Sequence, residues 1–439
     1  MDYLSYAVII AYLAVMFLVG IFSGRRIKNT EDFLLAGRRL GLVLLTFTLA
    51  ATHFGGGVVM GGIEYGMLYG TLGGMWYGIS CGLGLLALAF VAPKLRDLSL
   101  FTAPEYLERR YGGKFVRLYT SILSLISLVG ILSAQIISTQ ALLSIFGISP
   151  RIASIIATFI FIAYTYFGGM WAVTITDFLQ LGIAAVGVIV IASVAPVRTG
   201  SVVYESLSAL SILAIVLPTI MYTLIGQDFY QRVFSAKDAK TARNSSLLAA
   251  LIVIAISFFP AFIGANLAGN DLNAAIAGLF SSIPQLLGAI FIVAILGAIM
   301  STADSLLSAA SSHIIMDIFA PVLKGEKRQL FYSRISVLVI GFLALVISFA
   351  MPTIIDAIVF SYTIYTAAVF FPLVLGLFWK KGNRRAAGVS MVCSTAFVVL
   401  GFFFAPSGIP LEISGALVSL VLYVLLSVFL GDTSSSGVR

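Results

Sequence analysis

Long apolar runs alternate with short polar connections along almost the whole chain. A helix needs roughly 20 apolar residues to cross the hydrocarbon core of a bilayer, and these runs have that length. We expect thirteen transmembrane helices, at about 3–24, 40–66, 70–93, 115–146, 150–167, 172–196, 206–230, 242–268, 283–318, 329–350, 353–379, 384–405 and 409–431. The pattern predicts an all-α polytopic protein with one membrane domain, 1–431, and a short polar tail, 432–439, that we expect to be disordered.

Composition excludes a water-soluble globule. Hydrophobic residues make up 60% of the 439 residues and charged residues 10%, whereas soluble domains carry about 25% charge. The net charge of +8 lies in short connections between apolar runs, which is typical of a topology signal, so we expect no nucleic-acid partner. Cys81 and Cys393 both fall within predicted helices, so no structural disulfide is expected.

The distribution of lysine and arginine predicts the orientation. With the N-terminus outside, all but two of the 26 cations fall in inner connections or at inner helix ends. The exceptions are Arg151 and Arg198, and the inner set includes Arg232 and Lys237 after the seventh helix. By the positive-inside rule we expect a multi-pass protein of the cell (plasma) membrane with an outer N-terminus and a cytoplasmic C-terminus.

The sequence of the second predicted helix indicates that the helix is interrupted near its centre. Its centre reads LAATHFGGGVVMGG, so Thr52 and His53 precede three consecutive glycines, Gly55 to Gly57. A glycine run unwinds a helix at little cost. The freed carbonyls are tolerated at membrane depth only where they line a cavity or bind an ion. The alternative is close packing of two helices through small residues.

The seventh helix has a similar interruption. Pro218 and Gly226 break its apolar run, and Gln227 and Asp228 follow. Broken helices at corresponding positions indicate a transporter built from inverted repeats. The alternative is an ordinary proline kink with polar residues at the membrane interface.

The ninth helix places small and hydroxyl side chains on one face, at Ala298, Ser301, Thr302 and Ser305. Asp304 lies beside this face, near the middle of the helix. A buried carboxylate there needs a cation, a hydrogen-bond network or a proton. Asp177 lies inside the sixth helix, where it is either functional or an acid favoured by the helix dipole. Close packing is again the alternative for the hydroxyl face.

Five segments resemble, in order, motifs of the sodium:solute symporter family. They read AATHFGGGVVMGG, FTAPEYLERRYG, YTYFGGMWAVTITDFLQ, GQDFYQRVFSAKDAKTAR and, after MSTADS, SAASSHIIMDIF. The resemblance implies a LeuT-like core of two inverted five-helix repeats formed by helices 2–11. The first repeat would be 40–196 and the second 206–379, with one extra helix before them, 3–24, and two after them, 384–431.

The resemblance also implies which residues bind sodium, a second cation and the substrate. The principal sodium site would use Ala51, Phe54, Ala298, Ser301 and Thr302. A second cation site would use Asp177, Ser301, Asp304 and Ser305. Substrate contacts would come from Thr52, His53, Gly55, Gln135, Tyr222 and Gln227. Several family members have a hydroxyl where this chain has Asp304, so that acid would either strengthen a second sodium site or carry a proton.

We therefore expect a secondary active transporter that couples Na⁺ to a small organic solute (an amino acid, carboxylate, sugar or similar) by alternating access. The expected partners are this solute, sodium and the lipid bilayer, without an obligate protein partner. Proton coupling through Asp177 or Asp304 is the alternative, and a channel is a remote one because no selectivity filter is recognisable. An enzyme is not expected, since HExxH and histidine clusters are missing from the sequence. We also expect a short helix in the outer connection 270–284.

Overall fold

The computed structural model describes residues 3–144, 147–197, 204–267, 271–319, 323, 325–350, 354–404 and 410–430. The expected tail, 432–439, lies outside the described residues. Helices dominate the described chain, and an isolated bridge between Leu40 and Ala236 is its strand-like contact. The helices are α1 (Tyr3–Gly24), α2 (Thr30–Leu35), α3 (Leu42–His53), α4 (Gly56–Asp97), α5 (Ala103–Tyr111), α6 (Lys114–Ser144), α7 (Pro150–Val194), α8 (Ala209–Thr223), α9 (Gln227–Ser235), α10 (Ala239–Asn266), α11 (Leu272–Ser282), α12 (Gln285–Ser312), α13 (Glu326–Ser348), α14 (Ile354–Phe378), α15 (Arg384–Phe404) and α16 (Leu411–Phe429).

The described residues contain ten helices long and apolar enough to cross a membrane. The number rises to eleven if the bent pair α8 and α9, which meet at 41°, forms one span. The all-α membrane architecture is therefore confirmed, and the count of thirteen stays a prediction.

Two very long helices explain much of the difference in the count. α4 has 42 residues and α7 has 45, so each would be roughly 60 Å long or more if straight, about twice the hydrocarbon thickness. Each is interrupted by a glycine with positive φ, Gly70 at 73° and Gly169 at 51°. That backbone conformation favours glycine because it has no Cβ. Both kinks fall where the sequence separates two predicted spans.

The glycine run does interrupt the second predicted span. α3 ends at His53, Gly55 is extended, and α4 begins at Gly56. A Cβ on Gly55 would collide with the side chain of Thr302, and one on Gly56 would collide with Ser138. Glycine is therefore required because the unwound backbone lies directly against α12 and α6.

The seventh predicted span is also broken, between α8 and α9. Gly226 precedes α9, and every residue of α9 is buried. The Leu40 N–H donates to the Ser235 carbonyl at 3.0 Å, and the Lys237 N–H donates to the Leu40 carbonyl at 3.0 Å. These bonds join the beginning of α3 to the end of α9, so the two broken spans meet at one end of the molecule.

The connections have their own stabilising contacts. α11 forms the short helix expected within 270–284, and its first turn is capped by the Asp271 carboxylate, which accepts from the N–H groups of Asn273 and Ala274. At the start of α10, the N–H of Thr241 donates to the Asp238 carboxylate, which lowers the pKa of Asp238 below its ordinary value. Both acids lie at helix N-termini, where the helix dipole favours negative charge.

Candidate functional site

The end of α3 and the middle of α12 form a cluster of oxygen atoms. The Ser301 hydroxyl lies 2.8 Å from the Ala298 carbonyl and 3.2 Å from the Ala51 carbonyl. The Thr302 hydroxyl lies 3.3 Å from the Ala51 carbonyl and 3.1 Å from the Thr52 carbonyl. The last carbonyls of a helix lack partners within it. The hydroxyls of α12 are thus placed against the carbonyls that the break in α3 releases.

The oxygen atoms of this cluster suit a cation. The Ala51 and Thr52 carbonyls lie at the broken end of α3, and the Ser301 and Thr302 hydroxyls lie 3.1–3.3 Å from them. Ala51, Ser301 and Thr302 are all buried, so bulk water does not compete for these oxygens. Carbonyls freed at membrane depth are tolerated where they line a cavity or bind an ion, and this set of oxygens would suit a hard monovalent cation.

Phe54 is the fifth residue of the predicted principal sodium site. It follows α3 with a non-helical backbone (φ −79°, ψ 54°), and its N–H donates to the Ala50 carbonyl at 2.9 Å. A Cβ on its neighbour Gly55 would collide with the Thr302 side chain. Phe54 therefore lies outside the helix, one residue before the glycine that packs against α12.

A buried ion pair lies next to this cluster. Asp177 on α7 and Arg232 on α9 have fully buried side chains, and their Oδ2 and Nη2 atoms are 3.3 Å apart. The same Arg232 nitrogen also donates to the Ser305 hydroxyl. Thr48 donates to Asp177 Oδ2 at 2.5 Å. The guanidinium group thus joins two of the four residues predicted for a second cation.

The other two members of that set lie on the α12 side of the guanidinium. The Ser305 hydroxyl is 2.6 Å from the Ser301 carbonyl and 3.3 Å from Asp304 Oδ1. Thr176 donates to Asp304 Oδ2 at 3.5 Å. The structure therefore brings Ser301, Asp304 and Ser305 together, and Arg232 bridges them to Asp177.

Arg232 was misplaced by the charge distribution, which assigned it to the inner connection after the seventh helix. Its side chain is fully buried, and it donates to the Thr48 carbonyl at 3.2 Å, the Thr48 hydroxyl at 2.9 Å and the Asp228 carbonyl at 2.9 Å. A cation inside a membrane bundle must be paired or bonded to carbonyls, as this one is. The available signal was the spacing of Asp228 and Arg232, which share one helical face directly after a break.

A small cavity lies between the broken spans. Its described lining is Thr52, His53, Gly55, Gly57, Tyr77, Ile131, Gln135, Thr219, Tyr222, Asp228, Phe229, Thr302, Leu306, Ile358 and Tyr362. Five of the six predicted substrate contacts are in this lining, and Thr302 belongs to both the cavity and the oxygen cluster. A cavity bordered by polar groups and aromatic rings, beside a break in the helices, is typical of a solute site.

Hydrogen bonds fix the polar walls of the cavity. Gln135 Oε1 accepts from the Gly56 N–H at 2.9 Å. His53 Nε2 lies 3.0 Å from the Thr223 hydroxyl, and its ring packs on Phe229 at 4.3 Å between centroids. The first contact joins α4 to α6, and the contacts of His53 join α3 to both halves of the seventh span.

Gln227, the sixth predicted substrate contact, lies outside this lining. Its side-chain amide donates to the Phe101 carbonyl and the Ser312 hydroxyl, both at 3.0 Å, and accepts from the Ala103 N–H at 2.9 Å. Successive residues of a helix project about 100° apart, so Asp228 enters the cavity while Gln227 points towards the N-terminus of α5. The substrate contact of Gln227 therefore stays a prediction, and Asp228 is the polar residue of α9 that lines the cavity.

Comparison with known proteins identifies the family. The profile of the sodium:solute symporter family matches residues 33–212 and 201–394, which together span most of the chain. The chain belongs to the sodium:solute symporter family. It is a multi-pass secondary active transporter that couples a small solute to sodium, and it is not an enzyme.

Relatives with assigned functions align over most of the chain. The high-affinity proline transporter PutP of Bacillus subtilis is 27% identical over 426 residues, covering 88% of this chain and 89% of that protein. The sodium/proline symporter of Staphylococcus aureus is 27% identical over 447 residues, covering 90% of this chain and 85% of that protein.

Solved structures share the fold. A Na⁺-coupled sialic acid symporter in a substrate-bound, outward-open state superposes with a TM-score of 0.83 at 21% identity, covering 99% of this chain and 100% of that chain. Mhp1, a nucleobase-cation-symport-1 family transporter, in a closed conformation superposes with a TM-score of 0.63 at 14% identity, covering 93% and 97%. The LeuT-like fold expected from the sequence is confirmed.

Proposed function

We propose that this transporter binds its coupling sodium ion in the oxygen cluster between α3 and α12. The ligands are the carbonyls of Ala51, Phe54 and Ala298 and the hydroxyls of Ser301 and Thr302. What supports this assignment is the geometry, because the Ala51 and Thr52 carbonyls at the broken end of α3 lie within 3.1–3.3 Å of the hydroxyls of α12. A sodium ion bound between the two helices would be coordinated by oxygens from both.

The solute would bind in the adjoining cavity, against Thr52, His53, Gly55, Gln135 and Tyr222. The observation that carries the coupling is the position of Thr302, which lines the cavity while its hydroxyl contacts the Ala51 and Thr52 carbonyls. Sodium would hold the unwound segment between α3 and α4 in one conformation and so complete the solute site. Each ligand would then raise the affinity for the other, as thermodynamic linkage requires.

The second cation position would be occupied by the Arg232 guanidinium instead of a second sodium ion. Arg232 Nη2 contacts both Asp177 and Ser305, and a guanidinium is always protonated in proteins. We therefore propose a coupling stoichiometry of one sodium ion per transport cycle. A second sodium ion among Asp177, Ser301, Asp304 and Ser305 would require this arginine to move.

We propose that the protein lies in the plasma membrane with its N-terminus outside and its C-terminus in the cytoplasm, and that it works without an obligate protein partner. The excess of cations in alternate connections supports this orientation. The proline carriers among its relatives make an amino acid the favoured solute.

The coupling proposal is tested by uptake into proteoliposomes. An inward sodium gradient should drive accumulation of L-proline or another solute from an amino-acid panel, and a potassium gradient should not. Replacing both hydroxyls, in Ser301→Ala/Thr302→Ala, should abolish sodium-dependent uptake because the ion loses two of five proposed ligands. Ser311→Ala is the matched control, since the hydroxyl of Ser311 lies on the same helix and bonds to the Ser333 carbonyl. Unchanged sodium affinity in the double variant would refute the site.

A further inference from the structure

The described lining of the cavity contains one acid. Among the described residues that line it, Asp228 is the sole carboxylate, and lysine and arginine are absent from that lining. Asp228 is almost completely buried, so its charge is not dispersed by bulk water. A buried carboxylate is costly unless it is paired or strongly hydrogen-bonded.

The groups around Asp228 are mostly neutral. Tyr222 donates from its hydroxyl to Asp228 Oδ1 at 3.1 Å. The ring of Tyr222 stacks on Tyr362 at 5.0 Å between centroids and meets Phe229 edge-on at 6.1 Å. Asp228 therefore lies at the polar end of a pocket with aromatic walls.

The nearby guanidinium is directed elsewhere. Arg232 Nη1 donates to the main-chain carbonyl of Asp228 at 2.9 Å, while Nε contacts Thr48 and Nη2 contacts Asp177 and Ser305. Asp177 contacts this guanidinium through its carboxylate, whereas Asp228 contacts it through its main-chain carbonyl. The Asp228 side chain lines the cavity instead.

On the basis of the proposed solute cavity, we propose that the solute carries a primary or secondary ammonium group whose N–H donors bind the Asp228 carboxylate. The aromatic faces of Tyr222, Phe229 and Tyr362 would pack against the apolar part of the solute, and such faces also attract a cation. A purely anionic carboxylate would be repelled by Asp228. A neutral sugar would leave the charge of Asp228 unmatched, so amino acids and amines are selected from the wider set of small organic solutes.

The test compares probes that differ at the ammonium group. Thermal unfolding of the purified protein is measured in sodium chloride and in potassium chloride, with L-proline, tetrahydrofuran-2-carboxylate (ring oxygen in place of the ring nitrogen), propylammonium, 1-propanol and propionate. We expect L-proline and propylammonium to stabilise the protein, more strongly in sodium, and the other three probes to have little effect. This comparison needs no substitution, so it stands even if a variant fails to fold.

A variant then locates the contact. Asp228→Asn keeps the size of the side chain and an acceptor for Tyr222, and it should weaken binding of the ammonium probes by about 10- to 100-fold, as expected for the loss of a charge-assisted hydrogen bond. Asp97→Asn, at an exposed position near the end of α4, is the matched control and should bind them normally. Stabilisation of Asp228→Asn by sodium alone reports that the variant is folded.

Three results would overturn the proposal. The first is that no ammonium probe stabilises the wild-type protein, and the second is that propionate or 1-propanol binds as tightly as the ammonium probes. The third is that Asp228→Asn weakens sodium binding while ammonium binding is unchanged, which would make Asp228 a sodium ligand. A failure of the proposed sodium site looks different, because sodium would then not stabilise the protein while ammonium binding would still depend on Asp228.

Discussion

The two broken spans both place polar groups inside the bundle, but the kind of polar group differs between the two breaks. At the first break, after α3, the exposed groups are backbone carbonyls, and the side chains that meet them are the hydroxyls of Ser301 and Thr302. At the second break, before α9, ionised side chains follow, and Asp228 and Arg232 are bonded within the bundle. The first break is thus suited to an exchangeable cation, whereas the second carries a cation of its own.

This difference follows from the local sequences. A glycine run exposes backbone and adds no charge, so any charge at the first break must be brought by a ligand. The second break has one glycine and a short amphipathic helix with two charged residues, of which Arg232 is held by partners on other helices and Asp228 lines the cavity. Inverted repeats therefore supply two equivalent breaks, and the residues beside each break determine which of them would suit an exchangeable ion.

The largest effect is expected from removing the built-in cation. Arg232→Gln leaves Asp177 buried without its cation and should destabilise the protein by about 3–5 kcal/mol. Sodium should recover part of this loss by entering the vacated position, and uptake should become steeper with sodium concentration. Unfolding measured in sodium and in potassium, together with the sodium dependence of uptake, checks both expectations.

Matched variants sharpen this test. Arg109→Gln removes an exposed ion pair with Glu105 and should change stability by at most about 1 kcal/mol. Removing both charges, in Arg232→Gln/Asp177→Asn, should restore much of the stability lost in Arg232→Gln. Equal unfolding behaviour of the Arg232 and Arg109 variants would contradict the assignment of Arg232 as a buried counter-ion.

A smaller effect is expected at Asp304. Its carboxylate lies 3.3 Å from the hydroxyl of Ser305, which itself contacts the Ser301 carbonyl. Asp304→Asn removes a negative charge close to the proposed ion, and it should reduce sodium affinity roughly tenfold through this electrostatic interaction. Wild type and variant should both show a Hill coefficient of about one for sodium, since the coefficient is limited by the number of sites.

Uptake against sodium concentration measures the affinity and the coefficient together. A wild-type coefficient of about two that falls to about one in Asp304→Asn would favour a second sodium ion over the arginine. Ser308→Ala is a suitable control on α12, because Ser308 accepts from Gln231 and lies outside both proposed cation sets.

The smallest expected effects are the changes in uptake kinetics when Gln135 and Gln227 are substituted. Gln135 lines the cavity, whereas Gln227 is bonded to Phe101, Ala103 and Ser312. Gln135→Leu should raise the KM for solute severalfold, and Gln227→Leu should change the maximal rate with little change in KM. Kinetics of uptake for both variants at saturating sodium give the comparison, and a larger KM change in Gln227→Leu would mean that this residue contacts the solute.

The sequence by itself determined the parts of this protein that depend on local pattern. Apolar runs predicted the membrane helices, the glycine triplet predicted the first break, and the spacing of Ser301 and Thr302 predicted that their hydroxyls share a face. These predictions hold because hydrophobic length, backbone freedom and helical periodicity are properties of neighbouring residues.

Only the tertiary structure decided the partners of the charged and amide groups. Arg232 stands near the end of an apolar run, where the charge pattern assigns it to a loop, yet Asp177 and Ser305 from two other helices hold it inside the bundle. Gln227 and Asp228 are adjacent in sequence, and the direction of α9 sends one to α5 and the other into the cavity. Whether a polar side chain in a membrane helix is a ligand, a counter-ion or a packing group depends on which distant groups meet it, because its burial is tolerated only when they satisfy it.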